Sequence, residues 1–108
     1  MIYELRIYDA MPGKMPALLA RFENHTLALF GKHGIRQAGF FTTMVGESYL
    51  RLTYLLAWES LAEREKKWQA FVTDPEWMRV REESEREGPL LANISNQLLA
   101  PTSFSSVK

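Results

Sequence analysis

The stretch Leu52-Thr53-Tyr54-Leu55-Leu56-Ala57-Trp58 has no polar face. Read as a strand, it sets Leu52, Tyr54, Leu56 and Trp58 on one side and Thr53, Leu55 and Ala57 on the other. A sheet built around it needs cover on both sides, because soluble chains rarely leave a large contiguous apolar surface in water. The rest of the chain has to supply that cover or recruit it.

Ile2 to Tyr8 alternates as another strand, with Tyr3, Leu5 and Ile7 on one face and Ile2, Glu4, Arg6 and Tyr8 on the other. Pro12 and Gly13 end it. From Met15 to about Lys32 the apolar residues return at helical spacing, at Met15, Leu18, Phe22 and Leu29 with Leu19 and Phe30 beside them, and Gly34 stops the helix. Gln37 to Val45 and Tyr49 to Trp58 read as strands, and the short Gly46-Glu47-Ser48 link between them fits a hairpin. Ser60 with Glu63 forms a capping box for a helix whose apolar stripe is Leu61, Trp68, Phe71 and Val72. Asp74-Pro75 ends that helix and caps the next, which carries Trp77, Met78 and Val80, then a solvated run of mixed sign from Arg81 to Glu87, and stops at Gly88-Pro89. Ile94 to Leu99 is the last strand, and a tail follows from Pro101. The order β-α-β-β-α(α)-β over residues 1–108 predicts one α+β domain of ferredoxin-like plan, an antiparallel sheet with its helices on one face. The other face, apolar and aromatic, is then bare, and a second copy of the chain is the simplest cover for it.

Composition narrows the function classes. The 13 basic and 13 acidic side chains cancel, which gives no electrostatic reason to expect nucleic acid, an anionic membrane or a strongly charged substrate. There is no cysteine, so disulfides, thiol nucleophiles and thiolate metal sites are excluded. No apolar run reaches the length of a membrane span and no leader is expected before the first strand, so the default location is cytoplasmic.

Tyr3-Glu4-Leu5-Arg6-Ile7-Tyr8, His33-Gly34 before Gly39-Phe40, Gly46-Glu47, Ala57-Trp58-Glu59-Ser60-Leu61 with Arg64 after it, Asp74-Pro75-Glu76-Trp77 and Pro101-Thr102-Ser103-Phe104-Ser105 follow one another in an order that resembles the NIPSNAP family. The resemblance spans nearly the whole chain. It implies a dimeric α+β barrel, the architecture shared by antibiotic-biosynthesis monooxygenases, muconolactone isomerases and haem-degrading enzymes, with ligands held between sheet and helices. It implies no particular reaction, since fold alone does not give function. Family members often carry a histidine in the third strand shortly before an aromatic residue; the corresponding place here is Tyr54, which argues against a histidine-dependent role at that point.

The residues that could carry chemistry are few. Glu4, Arg6 and Tyr8 share one strand face, and with Leu5 and Ile7 assigned to the helices, the polar trio is expected to point the other way, into the barrel. Burying a glutamate and an arginine is costly unless they are paired. Arg6 would bind a carboxylate or enolate oxygen and Tyr8 would donate a proton or a hydrogen bond, or the set is a structural salt bridge. Tyr54 and Trp58 are expected to line the same pocket. His25 falls on the stripe of Leu18, Phe22 and Leu29 and reads as a core histidine or a catalytic base; His33, in the last helical turn, reads as a cap or a catalytic candidate. Eight residues apart, the two histidines do not make a helical metal pair, and no metal site is expected. No cofactor is expected; haem enters only by analogy with related barrels. Trp68 and Trp77 lie at core spacing and read as packing. Two function classes stay open. One is a cavity protein for an apolar or weakly acidic small molecule, acting by isomerase-like proton transfer or by oxygenation; the other is a non-catalytic module whose working unit is the dimer.

Overall fold

The computed structural model describes residues 1–108. Its elements are β1 (Ile2–Ala10), α1 (Met15–Arg21), a π-helical turn (Phe22–Thr26), α2 (Leu27–Lys32), β2 (Arg36–Thr42), β3 (Arg51–Trp58), α3 (Leu61–Val72), α4 (Pro75–Ser84) and β4 (Leu91–Leu99). The sheet is wholly antiparallel in the order β2-β3-β1-β4, so the first strand is central and both hydrogen-bonding edges of it are occupied. This is the expected ferredoxin-like plan. The molecule is a two-layer slab, 45 × 36 × 19 Å, and no helix is long and apolar enough to cross a membrane.

Local signals explain most boundaries. The Ser60 hydroxyl accepts the Glu63 N–H at 3.1 Å, and the Asp74 carboxylate accepts the Glu76 N–H at 2.9 Å with Pro75 at the first helical position. Gly34 closes α2 at φ +70°, a conformation that side chains with a Cβ rarely adopt. Two boundaries differ from expectation. The β2–β3 connection runs from residue 43 to 50 rather than over Gly46-Glu47-Ser48, because Met44, Val45 and Tyr49 find no partner layer and remain exposed. The α4 helix ends at Ser84, and β4 begins at Leu91 rather than Ile94.

The faces of β1 are the reverse of the expected ones. Glu4, Arg6, Tyr8 and Ala10 are buried, whereas Tyr3, Leu5 and Ile7 are half-buried. Arg6 lies over the Trp68 ring of α3, and Glu4 is bonded to Arg64 of the same helix, so the polar trio sits under the helices. Leu5 and Ile7 are on the open face. Alternation says which residues share a face but not which face receives the helices, and a one-residue difference inverts every side chain. The deciding fact is the partner set: the helix side supplies enough donors to bury Glu4. The aromatic face of β3 is likewise the covered one, with Leu52, Tyr54, Leu56 and Trp58 buried. The uncovered face carries Tyr3, Leu5, Ile7, Thr53, Leu55 and Phe41, in register across β1, β3 and β2.

His25 is the other reversal. It is exposed, and Thr26 takes the inward position. The cause is the π turn: the Leu27 N–H bonds the Phe22 carbonyl, and the Thr26 hydroxyl donates to the Arg21 carbonyl at 3.3 Å. A turn widened by one residue swings position 25 off the stripe that straight α-helical spacing assigns it.

Candidate functional site

The interior of the sheet–helix layer holds a charged hub. Glu4 is fully buried and accepts from Arg6 Nη1 at 2.8 Å, Arg64 Nε at 2.9 Å, Arg64 Nη2 at 3.2 Å, Asn96 Nδ2 at 2.9 Å and Trp58 Nε1 at 3.1 Å. Burial by itself would push its pKa up, but the hydrogen bonds from Arg64, Asn96 and Arg6 outweigh that and lower it from 4.5 to about 2. Glu4 is therefore a fixed carboxylate.

Its charge orients Arg6. The Arg6 Nε–H donates to the Tyr54 hydroxyl at 2.9 Å, and the Tyr54 hydroxyl donates to that of Tyr8 at 2.8 Å. Arg6 Nη2 approaches the same Tyr8 oxygen at 3.4 Å. Burial opposes the Arg6 charge, and the Tyr8 and Tyr54 oxygens with Glu4 more than offset it, so its pKa is raised. For Tyr54, burial and then Tyr8 raise the pKa well above the usual phenol range. Tyr8 receives hydrogen bonds from both neighbours and has its own O–H left to donate. Arg6 likewise bonds through three of its N–H groups, and a guanidinium has five.

Arg6 and Tyr8 both line a cleft of about 480 Å3 between β1, β4 and helices α3 and α4. Trp68, whose ring lies 4.4 Å from the Arg6 Cζ, and Trp77 form its aromatic walls, with Val72, Leu91 and Ile94 completing the apolar lining. Arg21, Arg81 and Glu85 also line it. This size is ordinary for a small-molecule site.

Of the residues singled out from the sequence, Arg6 and Tyr8 line the cleft. Glu4, Tyr54 and Trp58 do not; they are fully buried behind it and hold Arg6 and Tyr8 in place. His25 lies on the outer surface. His33 caps α2 and bonds Asp74 Oδ2 through Nε2 at 2.7 Å, while Lys32 reaches the same oxygen at 2.9 Å. Those two bonds and the Glu76 N–H hold the Asp74 carboxyl well below the usual range. Trp68 and Trp77 pack against Phe71, as their spacing suggests, yet each also presents a ring to an arginine at the cleft. Sequence reasoning missed Arg21, Arg64, Arg81, Glu85 and Asn96. Two of them left a signal: Arg21 falls three residues after Leu18 on an apolar stripe, and Asn96 is a polar residue inside a strand.

The comparisons with known proteins agree with this architecture. An uncharacterised NIPSNAP-like domain protein from Burkholderia xenovorans is 30% identical, with a TM-score of 0.85 over 96% of this chain and 87% of that one. A NIPSNAP family protein of unknown function from Agrobacterium tumefaciens is 25% identical, with a TM-score of 0.87 over 100% of this chain and 94% of that one. A candidate antibiotic biosynthesis monooxygenase from Nitrosomonas europaea shares the fold at 9% identity, with a TM-score of 0.64 over 94% and 98% of the two chains. No curated protein matches the sequence. The NIPSNAP family model matches residues 3–106, nearly the whole of the chain that the cleft and its supporting hub are drawn from, and the protein belongs to the NIPSNAP family.

Proposed function

We propose that this protein binds a small apolar acid, as carboxylate or enolate, in the cleft between its sheet and helices, and that Tyr8 donates a hydrogen bond or a proton to it. The observation that carries this reading is the hydrogen-bond chain from Arg6 through Tyr54 to Tyr8, which leaves the Tyr8 O–H and two Arg6 N–H groups unbonded on residues that line a cleft walled by Trp68 and Trp77. A cation held in place by a buried carboxylate is suited to stabilising negative charge that develops on a bound oxygen. The aromatic walls suit a flat apolar body. The chemistry this supports is proton transfer next to a carbonyl.

Calorimetric titration with 2-naphthoate and with its neutral analogue 2-naphthylmethanol tests the reading. The acid should bind at least roughly tenfold more tightly, a difference of about 1.4 kcal/mol. Tyr8→Phe keeps the ring that packs on Phe22 and Tyr54 but removes the free donor together with the acceptor of the Tyr54 and Arg6 hydrogen bonds, and should weaken acid binding by roughly three- to tenfold at a stability cost of about 1–3 kcal/mol. Equal affinity for the two probes, or binding of neither, would overturn the assignment.

The working unit in this proposal is a homodimer. Leu5, Ile7, Leu55 and Phe41 lie on the uncovered sheet face, and the chain carries no net charge to oppose self-association. A second copy placing the same face against it would bury both. Light scattering at micromolar concentration should give twice the 12.5 kDa chain mass, and Phe41→Glu with Leu55→Glu should give the single mass. A wild-type chain that is strictly monomeric would remove the dimer.

A further inference from the structure

The cleft is electrostatically incomplete around Arg21. Although the chain is neutral, the side chains on the cleft wall include three guanidinium groups, Arg6, Arg21 and Arg81, and one carboxylate, Glu85. Arg21 is 5% exposed, and its Nε is buried without any hydrogen-bond partner. An orphaned charged donor in the interior is costly and uncommon. The Arg21 Cζ lies 5.3 Å from the Trp77 ring centre, and Nη1 donates to the Ser84 hydroxyl at 3.2 Å. Its acidic contact is Glu85 Oε2, at 3.5 Å from Nη1.

Glu85 is loosely placed for that task. Its Oε2 is shared with Arg81 Nε at 3.4 Å, so both contacts are long for charge-assisted bonds, which close to about 2.7–2.9 Å when well formed. It lies just past the last residue of α4, in the turn that leads to Gly88, and its side chain is partly exposed. The Arg6–Glu4 pair, by contrast, is 2.8 Å long and locked by Arg64, Asn96 and Trp58. One guanidinium on the cleft is thus held firmly from behind, and the other is held weakly from the rim.

We infer that Glu85 is a built-in stand-in for a ligand carboxylate: it bridges Arg21 and Arg81 when the cleft is empty and swings to solvent when an acid takes its place on Arg21. Resting on the acid-binding reading above, this assigns the carboxylate end of the ligand to Arg21 and the enolisable or carbonyl end to Arg6 and Tyr8. The favoured class is an apolar acid with a second oxygen function along its length, such as an aryl keto acid. Trp77 then stacks on the segment between the two ends.

The test uses Glu85→Gln, Arg21→Met and wild type, each titrated with 2-naphthoate and 2-naphthylmethanol. Removing a competing, partly exposed carboxylate should tighten the acid by roughly three- to tenfold and leave the neutral alcohol unchanged. Arg21→Met should lose most of the acid preference, with circular dichroism confirming that the variant is folded. Should Arg21→Met fail to fold, Arg81→Gln is used in its place and should weaken the acid alone. Wild type that prefers the acid while Glu85→Gln binds it no better, or worse, would overturn the stand-in role and leave the acid-binding reading standing. Absence of acid preference in both wild type and Glu85→Gln would overturn the two together.

Discussion

Replacing Glu4 with glutamine is expected to cost about 3–5 kcal/mol of folding stability, because it strands Arg6, which is buried and has no other carboxylate. Glu4 accepts five hydrogen bonds, from Arg6, Arg64, Asn96 and Trp58, and is fully buried. Urea denaturation of the two proteins at neutral pH measures the difference directly. The same variant makes a pH prediction. The folded-state pKa of Glu4 is lowered from 4.5 to about 2, so its contribution is fully present above about pH 4.5 and is lost as pH falls toward 2. Wild type should therefore lose stability across that window more steeply than Glu4→Gln. The remaining slope in the variant belongs in part to Asp74, which Lys32, His33 and the Glu76 N–H also hold below its usual range. Pairing Glu4→Gln with Arg6→Met should cost less than the sum of the single changes, since the two side chains touch and each strands the other. Additive losses, or a Glu4→Gln protein as stable as wild type, would show that the hub is solvated and not a buried carboxylate.

The second large effect is expected at Phe22. This ring is buried and packs on Tyr8, Phe30, Phe40 and Tyr54, joining helix and sheet at the back of the Tyr8 site. Phe22→Ala should cost about 3–5 kcal/mol through lost burial and the cavity left behind. That is a large share of the ~5–15 kcal/mol a domain of this kind has in hand. His25→Ala, three positions along, is the control. With its side chain outside, it should change stability by no more than about 0.5 kcal/mol. A large loss at His25 would restore the straight-helix stripe and contradict the π turn.

These two residues also show where sequence reading runs out. The apolar spacing from Met15 to Leu29 is strong enough to declare a helix, and Phe22 belongs to its buried side by any count. The extra residue in the turn is invisible in that spacing, because Phe22, Thr26 and Leu29 satisfy a helical stripe about as well as Phe22, His25 and Leu29. Which of positions 25 and 26 goes inside is settled by the backbone bond from Leu27 to Phe22.

The candidate site divides in the same way. The grouping of Glu4, Arg6 and Tyr8 on one face was legible from alternation alone, as was the sharing of one face of β3 by Leu52, Tyr54, Leu56 and Trp58. Family membership was legible from the order of short motifs along the chain. The direction of that polar face was not legible, since a rule that sends leucine and isoleucine to the helices assumes that a charged face cannot be buried. It can be, when one carboxylate finds two arginines, an asparagine and an indole at hydrogen-bond distance. Apart from Arg6, those partners are 54 to 92 residues away in sequence.

By itself, then, the sequence determined the elements, their order, the α+β class and which side chains travel together, because periodicity and caps are local properties of the backbone. Only the tertiary structure decided which face of the sheet the helices occupy, where the cleft opens and that Arg21, Arg81 and Glu85 meet there. The reason is physical: the free energy of burying a charge depends on the distant groups brought to it, and no local pattern records them.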